Sequence, residues 1–171
     1  ADYNNAADIK TLGVAICLEK ISTQAFYIEN KNDNFDKLKE IFEDESIKKY
    51  TYNCKNDINI LKNKGLFLNN VDFDVFLASY IKNPNRNHEL SAQAFDFINH
   101  ISVELEDKKS KLSSILTSSL ADYAMDNAFS ILKLTEYWKN ELSANELKLL
   151  DEIELPLSIV LAQMEYDGVA I

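Results

Sequence analysis

Lys48-Lys-Tyr-Thr-Tyr-Asn-Cys-Lys-Asn-Asp-Ile-Asn-Ile-Leu61 passes from a β pattern to a helical one without a linker. Tyr50, Thr51 and Tyr52 suit a pleated backbone, so Lys48 to Tyr52 is expected to be a strand. Ile58, Ile60 and Leu61 then supply the inner face of a helix over Asp57 to Asn63. Upstream, Leu12–Leu18 and Gln24–Ile28 are β-rich runs separated by Glu19-Lys-Ile-Ser-Thr23, a hairpin with an ordinary loop. Phe35, Leu38, Ile41 and Phe42 repeat at helical spacing up to about Asp44. Downstream, Phe73, Phe76, Leu77 and Tyr80 give a helical period over Val71–Ile81, followed by a loop at Asn83-Pro-Asn-Arg-Asn87 and a short helix over Leu90–Ile98. The polar run Ser102–Ser114 is the best candidate for a mobile loop. Leu116–Leu142 is a long helix, and Ser143-Ala-Asn-Glu146 is a capping box that opens the last one. Strands early, helices late and a strand-to-helix turn between them predict an α/β class.

Composition narrows the function classes. The 171 residues are 46% hydrophobic and 11% aromatic, enough for one substantial core. Three Gly leave no phosphate cradle, no apolar run approaches the ~18 residues of a membrane helix, and no signal peptide precedes the hairpin. Cys17 and Cys54 form no ligand spacing and read as reduced thiols of a cytoplasmic protein. A net charge of −10 argues against an autonomous nucleic-acid binder, because such binding is driven by Lys and Arg displacing counterions from phosphates.

Three segments carry a resemblance. The C-terminal run Glu154-Leu-Pro-Leu-Ser-Ile-Val-Leu-Ala-Gln-Met-Glu-Tyr-Asp-Gly-Val-Ala-Ile171 is similar to the helix that, in bacterial DNA polymerase I (family A), leaves the 3′–5′ exonuclease domain and enters the polymerase domain. Asn53-Cys-Lys-Asn-Asp57 resembles that family's second exonuclease motif, and Phe73-Asp74-Val-Phe-Leu-Ala-Ser-Tyr-Ile81 resembles the helix that follows it. Ala121-Asp-Tyr-Ala-Met-Asp126 partly matches the third motif, Tyr-x-x-x-Asp. The resemblance implies a ribonuclease H-like mixed sheet flanked by helices. It also implies an exonuclease-like domain over residues 1–153, with 154–171 leading to an absent polymerase domain.

The family's chemistry explains which residues matter. Two Mg²⁺ ions about 4 Å apart hydrolyse a phosphodiester when several carboxylates hold the pair. The family supplies four acids and a Tyr, two of the acids as Asp-x-Glu on the first strand. Ala1-Asp-Tyr-Asn-Asn-Ala-Ala-Asp8 does not contain that motif. The candidates for catalysis are then Asp57, Asp126 and Tyr123, with Asp57 and Asp126 as metal ligands if the site is active. Asp122 stands four residues before Asp126 where the motif has Tyr; Tyr123 stands three before it, still within reach of the same helix face. Asp122 or Asp8 would have to complete a metal site. Asp57 also suits the positive end of its helix without any catalytic role. His88, His100 and Arg86 are weak candidates, and Ile131, Leu134, Tyr137 and Trp138 read as packing.

Two acids are too few for a metal pair, so the expected function is that of a degenerate exonuclease-like domain of a DNA polymerase active in replication and repair. On this reading the domain supports the polymerase domain, meets DNA only through the parent protein and has no membrane partner. The alternatives are an active proofreading nuclease whose first motif lies upstream, and an acidic α/β interaction module. Val160, Met164 and Ile171 are expected to be exposed for a neighbour, and Pro156 to kink the last helix or start a new one.

Overall fold

The computed structural model describes residues 11–18, 24–31, 34, 36–105 and 117–168. Strands β1 (Gly13–Leu18) and β2 (Gln24–Glu29) pair antiparallel, with Ala15 opposite Tyr27 and Cys17 opposite Ala25. Gly13 leaves room for the Tyr27 ring, whose hydroxyl lies 2.3 Å from where a Cβ would stand, so a larger residue there would displace that ring. A 3₁₀ turn (Asp36–Leu38) leads into α1 (Lys39–Glu43). β3 (Lys49–Thr51), α2 (Cys54–Lys62) and β4 (Val71–Asp74) form a βαβ unit whose strands pair in parallel, Tyr50 opposite Phe73 and Thr51 opposite Asp74. Then come α3 (Val75–Lys82), α4 (Leu90–Ile98) and α5 (Thr117–Glu141). The chain closes with α6 (Ala144–Leu149), a π turn (Leu150–Glu154) and α7 (Leu155–Asp167).

The α/β class and its mixed strand directions agree with the sequence reading, but among the described residues the strands form two two-stranded ladders rather than one. The long helix α5 packs on β1, β2 and β3 and thereby spans both ladders. Its inner face supplies Leu134 and Trp138 to the main core, where they meet Phe73, Val75, Leu150 and Leu155. Trp138 is fully buried and donates its indole N–H to Gln93 Oε1 at 3.0 Å; the Gln93 amide in turn donates to the His88 carbonyl at 2.7 Å. A second cluster, Leu38, Phe42, Leu61 and Leu66, lies under β1 and β2.

Two boundaries differ from expectation, and Pro156 opens a helix, one of its two expected roles. Val71–Ile81 is a strand followed by a helix, because Val71–Asp74 pairs with β3 and Asp74 caps α3. Phe73 keeps its place in the apolar period only because a strand residue points into the same core. Helix α2 begins at Cys54, three residues before Asp57, since Asn53 adopts a left-handed conformation (φ 65°) that turns the chain early. Asn tolerates that region better than most side chains. Pro156 falls at the start of α7, immediately after the π turn, whose widened ladder runs from the Leu155 amide to the Leu150 carbonyl. A residue without an N–H sits there without breaking the helix path.

The capping box is present as read: Ser143 accepts from the Glu146 amide and Glu146 accepts from the Ser143 amide. Val160 and Met164 are 54% and 55% exposed, as expected of an end made for a neighbour. The hairpin loop 19–23, Asp8, Ile171 and most of the Ser102–Ser114 run lie outside the described residues.

Asp74 holds the βαβ unit and α3 together. It is fully buried and accepts from the Phe76 and Leu77 amides at 2.8 and 3.2 Å, from the Asn53 and Cys54 amides, and from the Thr51 hydroxyl at 3.3 Å. Asp74→Ala strands these donors and should lower stability by ~4 kcal/mol in denaturant unfolding, whereas Asp74→Asn, which keeps one carbonyl acceptor, should cost about half as much.

Candidate functional site

The β3–α2 turn sets Asp57 in the first turn of α2, beyond the C-terminal end of β3. Its carboxyl is half-buried, and no hydrogen-bond donor or cation engages it among the described residues. Loss of water, and then the neighbouring Asp74 carboxylate, push its pKa up to about 7. The same surroundings drive the Cys54 thiol far above its ordinary range, first by burial and then by Asp74. The cation nearest in sequence, Lys55, turns away to Glu165 of α7 at 2.7 Å.

Asp126 stands on α5 in a different setting. His100 Nε2 lies 2.7 Å from its Oδ1, and the Val103 amide donates to its Oδ2 at 2.9 Å. Both oxygens therefore fasten the segment after α4 onto α5. Tyr123 and Asp122 are exposed on α5. Arg86 stacks over the Phe97 ring at 4.2 Å and pairs with Asp96 at 3.4 Å, so its guanidinium serves the loop before α4. His88 packs against Phe76 and Tyr80, its Nδ1 2.9 Å from the Ser79 hydroxyl.

A metal pair needs several carboxylates converging with free lone pairs, and these residues do not converge. Asp74 is saturated by five protein donors, Asp126 has one partner on each oxygen, and Asp57 alone is unengaged. Among the described residues no group of three or more His, Cys, Asp or Glu side chains is placed to hold a metal ion. The donor set does not fit the two-ion chemistry.

A parallel βαβ unit and an antiparallel hairpin under one long helix make an α/β domain of the ribonuclease H-like class. The family described as DNA polymerase I, ribonuclease H-like domain matches residues 2–133, and the chain belongs to it as a 3′–5′ exonuclease-like domain of the bacterial type. It is 31% identical over 139 residues to DNA polymerase I of Bacillus subtilis (78% of this chain, 16% of that protein). Against the Bacillus caldotenax enzyme it is 33% identical over 133 residues (75% and 15%), and against that of Borreliella burgdorferi 30% over 147 (84% and 16%). The chain thus spans about one-sixth of the length of these curated relatives. The POL domain of Pol1 from M. smegmatis, solved with a DNA primer-template and dNTP, superposes with a TM-score of 0.72 at 23% identity, covering 87% of this chain and 24% of that one, a likeness of fold. No helix of the described residues is long and apolar enough to cross a membrane.

One partnership at these acids has no local signal. His100 and Asp126 are 26 residues apart and meet only because α4 packs on α5. Asp74 did carry one: an Asp directly before an apolar helical run is a helix N-cap pattern.

The raised Asp57 pKa fixes a pH dependence. Unfolded, the carboxyl titrates near ~3.9; folded, it keeps its proton to about 7. Its contribution is fully present below about pH 4 and is lost as pH rises through 7. Asp57→Asn removes the loss, so the variant's advantage over the parent should grow between about pH 4 and about pH 7 and then level off, reaching ~2 kcal/mol after solvent screening of a half-buried group. Urea melts at several pH values check this, and a pH-independent difference would refute it.

Proposed function

We propose that this domain has lost the nuclease chemistry of its family and is retained as an architectural body beside the polymerase portion of a DNA polymerase I, taking part in replication and repair through that parent protein. The observation that carries the reading is the setting of the acids: Asp74 is consumed by protein donors, Asp126 is tied through both oxygens to the segment after α4, and Asp57 is left as a lone carboxyl that resists ionising. Tyr123, exposed on α5, and Asp122 beside it add no metal ligand set. Mg²⁺ enters this reading only if the site proves active. Contact with DNA comes through the parent protein, in keeping with a net charge of −10. Two free cysteines suit a cytoplasmic location.

The chain divides, on this reading, within the π turn, before its last residue: residues 1–153 form the exonuclease-like body, and 154–171 carry the path toward the polymerase portion. The apolar outer face of α7 supports the division. Restoring the polymerase portion should raise the thermal midpoint of the domain's unfolding; equal midpoints with and without it would speak against the contact.

The chemistry is tested with a 3′-labelled single strand. With Mg²⁺ or Mn²⁺ the purified chain should shorten it no faster than buffer, and Asp57→Ala should leave the fold intact by circular dichroism. Metal-dependent release of 3′ mononucleotides, abolished by Asp57→Ala or Asp126→Ala, would establish a working nuclease instead.

A further inference from the structure

Helix α4 stops at Ile98 because Asn99 takes the left-handed conformation (φ 50°), and the chain meets α5 again where His100 reaches Phe129 and Asp126. A cavity of about 380 Å³ opens at this stop. One of its sides is the face of α5 that carries Phe129, Lys133, Tyr137 and Asn140 at i, i+4, i+8 and i+11. The volume falls within the roughly 300–1,000 Å³ of small-molecule sites.

Both ends of the cavity are aromatic. At one, the His100 and Phe129 rings tilt together with centroids 5.3 Å apart. At the other, two helical turns along α5, Tyr137 ends a pile of planar groups: Arg86 lies 4.2 Å over Phe97, and Phe97 stacks on Tyr137 at 4.9 Å and 25°. Tyr137 lines the cavity and Phe97 does not, so the pile reaches it through Tyr137. Two exposed amides, Asn99 and Asn140, stand beside the rings. Asn140 gives one amide hydrogen to the Glu136 carbonyl at 2.8 Å and keeps its own carbonyl and a second N–H. A side-chain amide presents donor and acceptor side by side, the complement of a purine's polar edge.

Charge decides against an anion. The Lys133 ammonium on the cavity wall is paired with Glu136 at 2.9 Å, and His100 Nε2 is engaged by Asp126 at 2.7 Å. A phosphate would find no unpaired cation there, in a chain of net charge −10.

We propose that this cavity binds a neutral purine-type heterocycle, as the free base or its nucleoside. Phe129 and Tyr137 supply the ring contacts, and Asn140 bonds to the polar edge. The cavity is lined neither by Asp57 nor by Asp126, so its occupancy is independent of the architectural reading and of the nuclease assay.

Adenosine, AMP, ribose and benzyl alcohol are each titrated into the ¹⁵N-labelled 171-residue chain and followed by NMR. Adenosine should bind with a Kd of about 1 mM or tighter and shift the side-chain amides of Asn99 and Asn140, while ribose should leave the spectrum unchanged. Benzyl alcohol, which has a ring but no purine edge, should bind roughly fivefold more weakly. AMP should be weaker than adenosine at low salt and approach it at about 0.5 M, where screening shortens to roughly 4 Å. Phe129→Leu should weaken adenosine roughly tenfold and Asn140→Ala, at an exposed position, roughly fivefold, both with unchanged circular dichroism. Glu136→Gln, which leaves Lys133 without its partner, should make AMP the tighter ligand. No saturable shifts with adenosine, benzyl alcohol or AMP binding as tightly as adenosine at low salt, or an affinity unmoved by both Phe129→Leu and Asn140→Ala would overturn the proposal.

Discussion

The buried Asp74 carboxylate is the constraint through which the rest of the domain is tied. A full negative charge without water is tolerable only when donors converge on it, and here they come from two chain turns at once. One pair of amides opens α3; the other belongs to the left-handed turn at Asn53 that opens α2. A single side chain thus sets the angle between a strand, its partner strand and two helices. Its charge also reaches Asp57, so the group that fixes the fold disfavours ionisation of the acid that most resembles a catalytic one.

That coupling bears on how a nuclease fold can lose its chemistry without losing its shape. Two-ion catalysis asks acids to keep lone pairs turned outward to metals and substrate. In this domain the same residue types turn inward: Asp74 to backbone amides, Asp126 to His100 and the Val103 amide. Each inward bond stabilises a turn or fastens a loop, and each removes a ligand. The acids that remain outward on α5, such as Asp122, have no companions among the described residues placed to share a cation.

Helix α7 shows a division of labour between its two sides. The inner one uses small residues, Ser158 and Ala162, to approach α2 closely, then fixes its direction with Glu165 against Lys55 and Asn59. The outer one is apolar and left in water. The π turn before it lets Pro156 enter without a break, which keeps α6 and α7 on one path.

Local pattern alone determined the α/β class, the hairpin strands, the long α5 and the capping box at Ser143, because each depends on residue types and spacings within a few turns of chain. Asn53-Cys-Lys-Asn-Asp57 and the C-terminal helix were legible as family features for the same reason. The strand inside Val71–Ile81 was not legible, since its apolar spacing satisfies a helix equally well and only pairing with β3 selects between them. Nor could the sequence say which acids are free. That Asp57 sits beside Asp74, that His100 finds Asp126, and that Lys55 is spent on Glu165 are consequences of elements distant in the chain packing together. A carboxylate's chemistry is set by the donors and charges within a few ångströms of it, and tertiary structure alone assembles those.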